Sequence, residues 1–153
     1  MERVDLAERL FRDGYSCAQS LLAAFGPGLG LDRDAALRLA SPFAGGVSRT
    51  GGPCGAGTGG LLVLGLACGA DTFADEDKAR ITGLSQEFLR RFRDRHGSVF
   101  CTDILGHDLS LPGVPERVKA EGLSDPVCPS AVRAAGEILL DLLPAASGEG
   151  ATR

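Results

Sequence analysis

Of the side chains in this 153-residue sequence, the five cysteines are the ones best equipped for chemistry, and four of them share a setting. Cys17 follows Gly14-Tyr15-Ser16, Cys54 follows Gly51-Gly52-Pro53, Cys101 follows Gly97-Ser98, and Cys128 sits between Pro126 and Pro129. Each stands at or near the start of an expected helix, after residues that break regular structure. Proline favours the first helical position, so Pro129 makes Cys128 the expected N-cap of its helix. A helix N-terminus presents free amide N–H groups and a partial positive charge, which favour thiolate over thiol. Thiolate is the form that attacks disulfides and binds metals.

Two chemistries fit such a set. In the first, a low-pKa cysteine attacks an oxidant or a disulfide and a second cysteine resolves the mixed disulfide, with no cofactor required. Cys54 is the expected attacker, because its glycine neighbours leave the sulfur approachable and the following helix supplies a dipole. Four cysteines allow three pairings into two bridges, and the sequence does not choose among them. In the second chemistry, Cys17, Cys54, Cys101 and Cys128 supply three or four thiolates to zinc or an iron–sulfur cluster, with Gly55 and Gly59 offering a smooth surface to a bulky group. Positions 17, 54, 101 and 128 are 37, 47 and 27 apart, so no pair forms a C-x-x-C motif, a zinc knuckle or a ferredoxin run. That spacing places metal binding second. Either site has to be assembled by the fold. Cys68, beside Ala67 in an apolar stretch, reads as a small buried filler outside the set. Of the two histidines, His96 reads as a solvated residue at a cationic helix end, and neither is an expected base.

The elements that must position these residues read as helices. Leu and Ala total 42 against 17 for Val, Ile and Thr, a balance that favours helix over strand. The expectation is an all-α, single-domain compact bundle of about five to seven helices, covering 1–144, with 145–153 as a disordered tail. Val4, Leu6, Ala7, Leu10 and Phe11 repeat at helical spacing until Gly14, and Cys17, Leu21 and Ala24 continue in a second or kinked helix that ends at Gly26-Pro27-Gly28. A short helix runs from Asp32 or Arg33 to Ala40. Residues 45–60 hold eight glycines, and nothing from Thr50 to Ala70 is charged. A loop over 45–53 and a central apolar helix from Cys54 or Gly55 to about Ala67, closed by Gly69, account for this segment. Asp71 or Thr72 caps the next helix, whose stripe is Ile81, Leu84, Phe88 and Phe92 and whose end is Gly97. A turn of helix from Cys101 to Leu105 follows, then a mostly irregular stretch with one helix near 116–120. Val132, Ala135, Leu139 and Leu142 define the last helix, expected to stop at Pro144.

Composition excludes several function classes. Sixteen basic and twenty acidic residues give a net charge of −4, with no basic tail to neutralise phosphates, so nucleic acid is not an expected partner. The uncharged run reaches spanning length, yet half of it is glycine-dominated, so membrane insertion is not expected. Gly55, Gly57 and Gly60 spell G-x-G-x-x-G without the buried strand that a dinucleotide fold requires. Met1-Glu2-Arg3-Val4-Asp5 has no secretory character, which points to a reducing cytoplasm. A redox partner or a small-molecule oxidant is the expected counterpart. A helical scaffold or homodimerisation module, with Gly55 and Gly59 at a helix–helix contact, is the competing non-catalytic reading.

Cys54-Gly55-Ala56-Gly57-Thr58-Gly59 reads C-G-A-x-x-G, with one cysteine far upstream and two downstream. Together with Gly14-Tyr15-Ser16-Cys17 and the stretch 96–101, this arrangement resembles the C-GCAxxG-C-C family, small bacterial proteins described by four cysteines and a glycine motif. The resemblance spans 14–143. It implies redox activity and makes Cys17, Cys54, Cys101 and Cys128 the functional set, leaving Cys68 outside.

Overall fold

The computed structural model describes residues 1–147, with side chains through Leu143. Among the described residues there are eight α-helices and no strands, only one isolated antiparallel bridge between Pro53 and Phe100. The helices are α1 (Glu2–Arg12), α2 (Cys17–Phe25), α3 (Arg33–Ala40), α4 (Gly55–Cys68), α5 (Asp75–His96), α6 (Cys101–Leu105), α7 (Val114–Ala120) and α8 (Cys128–Ser147). The all-α expectation holds. The count exceeds the expected five to seven because the chain breaks at Gly14 into separate α1 and α2 instead of one kinked helix.

Helix α2 lies at the centre, packed against α1, α3, α4 and α8, while α4 packs against α2, α5 and α8. Ser16 accepts a hydrogen bond from the Gln19 amide, and Gln19 accepts one from the Ser16 amide, so a capping box starts α2 immediately before Cys17. Asp32 caps α3 through the Ala35 amide at 3.0 Å. Leu21, Phe25, Leu64, Phe88, Val132, Ile138 and Leu139 are fully buried in one continuous core. Apolar burial of this kind is the main favourable term in folding.

Two glycines of α4 permit its close packing. A Cβ on Gly59 would lie 2.8 Å from the backbone Cα of Ala18, and one on Gly60 would lie 2.1 Å from the Phe88 ring. The helix is therefore buried on opposing sides, by α2 and by α5. This explains its lack of charge without any membrane, and no helix among the described residues is long and apolar enough to cross one.

Three local expectations are corrected. Helix α5 begins at Asp75 with Ala74 as an uncapped N-cap, and Thr72 instead donates its hydroxyl to the Asp77 carboxylate at 2.5 Å. His96 is no solvated cap, since its ring packs at a tilt against Phe92 with centroids 4.9 Å apart and burial lowers its pKa. Helix α8 continues one turn beyond Pro144 to Ser147, carried by helix-forming alanines. The rest of the expected tail, 148–153, lies outside the described residues.

Arg133 fastens α8 to α1 by pairing with Asp5 at 2.6 Å and Glu8 at 2.7 Å. Arg95 and Glu137 join α5 to α8 at 2.7 Å. The outward charges of α8 thus act as cross-links between helices.

Candidate functional site

The four cysteines separated in sequence line one cavity of about 480 Å³. Each is placed by a helix start. Cys17 is the first residue of α2, Cys54 is the N-cap of α4, Cys101 opens α6 and Cys128 opens α8. Cys128 is therefore inside its helix and not the cap expected from Pro129; the Ala131 amide bonds to Val127 instead.

A short piece of irregular backbone brings the middle pair together. The Cys54 amide donates to Val99 and the Cys101 amide donates to Gly52, each at 2.7 Å, on either side of the Pro53–Phe100 bridge. Side chains alternate along extended backbone, so residues 54 and 101 project to the same side of that bridge. The preceding loop is left-handed over five consecutive residues, Gly45 to Arg49, with φ from 49° to 70°. At Gly46 the need for glycine is also spatial, because a Cβ there would lie 2.7 Å from that of Cys101. Holding Val47, Ser48 and Arg49 in this region costs about 1–2 kcal/mol per residue, which the surrounding hydrogen bonds must offset.

The thiols differ in environment. Cys54 is buried, with 5% of its surface exposed, so the expected open approach to its sulfur is absent. Burial pushes its pKa up to about 11, although the amides of Ala56 and Gly57 at the start of α4 pull the other way. The helix-dipole effect is present, but desolvation is larger. Cys101 is pushed up to about 12 by burial and by the neighbouring Cys54 and Cys128. Cys17 and Cys128 form a hydrogen-bonded pair in which Cys17 is the donor, held well above the ordinary thiol range. Cys128 is shifted down by that bond, against burial and the charge of Asp125. Of the two, Cys128 is the one shifted toward thiolate, because a donor faces it there.

Cys68 lies at the far end of α4, buried, with its sulfur 3.0 Å from the Leu64 carbonyl oxygen. It does not line the cavity. The Gly55/Gly59 strip faces α2: a Cβ on Gly55 would lie 3.1 Å from the Cys17 Cβ, and only Gly55 also borders the cavity. The surface offered to a bulky cofactor is thus occupied by a neighbouring helix. Among the described residues, no three His, Cys, Asp or Glu side chains are arranged to hold a metal ion.

The cavity includes residues that sequence reasoning passed over. Arg12, Arg49, Lys119 and Asp125 border it. The available signal was slight, since Arg49 is merely the last charge before the uncharged run and Lys119 belongs to a stretch without a motif.

A family described as "Putative redox-active protein (C_GCAxxG_C_C)" matches residues 15–142, a span containing all four cavity cysteines. The Gly-Cys-Ala order of its label appears in this chain as Cys54-Gly55-Ala56. Neither a curated protein nor a solved structure matches. With more than half of the chain covered, this protein belongs to the C_GCAxxG_C_C family.

Proposed function

We propose that this protein exchanges thiols with disulfides, with Cys128 as the attacking thiolate and Cys17 as the resolving thiol. The observation that carries the reading is the contact of Cys17 with Cys128 at the converging starts of α2 and α8, inside a cavity a substrate can enter. Cys128 forms a bond to one sulfur of the disulfide and the other sulfur leaves as thiolate. Cys17 then loses its proton and attacks the Cys128 sulfur, releasing the second thiol and leaving a Cys17–Cys128 disulfide. Cys54 takes the supporting place in this scheme, since burial keeps its thiol protonated at neutral pH. Cys54 and Cys101 line the same cavity as a second, protonated pair of thiols.

The test is a peptide map of reduced protein treated with one equivalent of bis(2-hydroxyethyl) disulfide. Native protein is expected to yield a Cys17–Cys128 bridge. Cys17→Ser should accumulate a mercaptoethanol adduct on Cys128, and Cys128→Ser should form neither product. A first adduct on Cys54, or zinc or iron bound stoichiometrically to protein purified without oxygen, would overturn this assignment.

A further inference from the structure

The cavity that holds the thiols carries a charge pattern opposite to that of the protein. The chain has a net charge of −4, yet the cavity is bordered by Arg12, Arg49 and Lys119 against the single carboxylate of Asp125. Arg12 is engaged, with Nη2 2.8 Å from Glu8 Oε1. Arg49 and Lys119 make no ion pair among the described residues, and both side chains are exposed. They do not serve the sulfurs either, because burial, the other cysteines, amides at the start of α4 and Asp125 account for the shifts at the four cavity thiols. Two cations with neither a carboxylate nor a thiolate to neutralise are placed to meet charge on an incoming molecule. A volume of about 480 Å³ suits a small molecule. Phe11, Ile104 and Leu109 add apolar wall that suits short aliphatic arms.

We infer that the substrate is a low-molecular-weight disulfide bearing carboxylates, which Arg49 and Lys119 engage at the cavity rim while its sulfur–sulfur bond meets Cys128. This inference rests on the thiol-exchange reading and adds the class of substrate. Two protein thiols are oxidised to one disulfide, and one substrate disulfide is reduced to two small thiols. The attacking group is an anion, so an anionic substrate approaches it against repulsion. Cations at the rim offset that repulsion and raise the local concentration of substrate.

The experiment compares rates of oxidation of the reduced protein by three disulfides at low ionic strength: dithiodipropionate, a dianion; bis(2-hydroxyethyl) disulfide, neutral; and cystamine, a dication. Rates are corrected for each reagent's reaction with a free small thiol. The dianion should exceed the neutral reagent by about tenfold, at the lower end of electrostatic steering, and the dication should be slowest. In Arg49→Gln/Lys119→Gln the dianion-to-neutral ratio should fall toward one. Equal corrected rates for all three, or a ratio that survives in the double variant, would overturn the substrate assignment while thiol exchange stands. Failure of every disulfide to oxidise Cys17 and Cys128 would overturn both.

Discussion

At the scale of single residues, which cavity thiol is shifted toward thiolate is set by competition between a dipole, burial and a donor. Cys54 and Cys128 both stand at helix starts, yet only Cys128 is shifted down, because burial dominates at Cys54 while Cys128 accepts a hydrogen bond from Cys17. Cys17→Ala should therefore raise the Cys128 pKa and slow iodoacetamide alkylation of Cys128 at pH 7 by about tenfold, the worth of one hydrogen bond to a charged group. Asp125→Asn should act in the opposite direction, since it removes a negative charge that disfavours the thiolate. Its effect should stay below about threefold, because Asp125 is exposed and solvent screens it. The comparison is a pH–rate profile with Cys128 identified by peptide mapping. Profiles that coincide for the native protein and Cys17→Ala would remove the donor from the account. That Cys17, Cys54, Cys101 and Cys128 should meet was an expectation of the sequence, and they line one cavity; the proposed attacker was not legible there. Helix position is local information, whereas the burial of Cys54 and the partner of Cys128 depend on contacts across the chain.

At the scale of elements, glycine has two uses that the sequence did not separate. In α4 it removes side chains where neighbours press: Gly59 meets the Ala18 backbone, and backbone cannot rotate aside as a side chain can. Gly59→Ala should consequently destabilise the fold by about 1–3 kcal/mol, typical of overpacking, despite the better helix propensity of alanine. Gly65→Ala provides the contrast, since nothing lies within 4 Å of a Cβ there. That change should stabilise by about 0.5–1 kcal/mol. Urea midpoints of the two variants, moving to opposite sides of the native value, check the distinction. Most helix boundaries were legible because caps and apolar spacing are local; Asp32 before α3 and Gly97 after α5 are examples. The left-handed loop was not legible, because Val47, Ser48 and Arg49 carry no signal for positive φ. Long-range support produces that conformation, including the Gly52 carbonyl that accepts from Cys101.

At the scale of the whole molecule, four helix starts are gathered at one cavity by packing remote from it. Clasps such as Arg133 with Asp5 and Glu8 set α8 against α1, and α4 packs between α2 and α5 and fixes both. Convergence of this kind depends on the sum of interhelical contacts, so the sequence could require it without placing it. It also has an energetic consequence that global stability should report. Cys54 and Cys101 have pKa values near 11 and 12, above an ordinary thiol value of 9. A group whose folded pKa is raised contributes fully below its unfolded pKa, and the contribution is lost as pH rises through the folded value. The reduced protein should therefore weaken between about pH 9 and 12, with roughly 3 kcal/mol of that loss belonging to Cys54 alone, at 1.36 kcal/mol per pKa unit. Tyrosine and lysine also titrate in this range, so the informative quantity is the difference between native protein and Cys54→Ala. Alanine does not titrate: the variant should start less stable at pH 8, because a cavity replaces the sulfur, and then lose less stability on the way to pH 11. Unfolding free energies measured in reductant at both pH values give the comparison. Parallel losses in the two proteins would mean that the Cys54 sulfur is solvated in solution, and the division between a protonated pair and a reactive pair would fall with it.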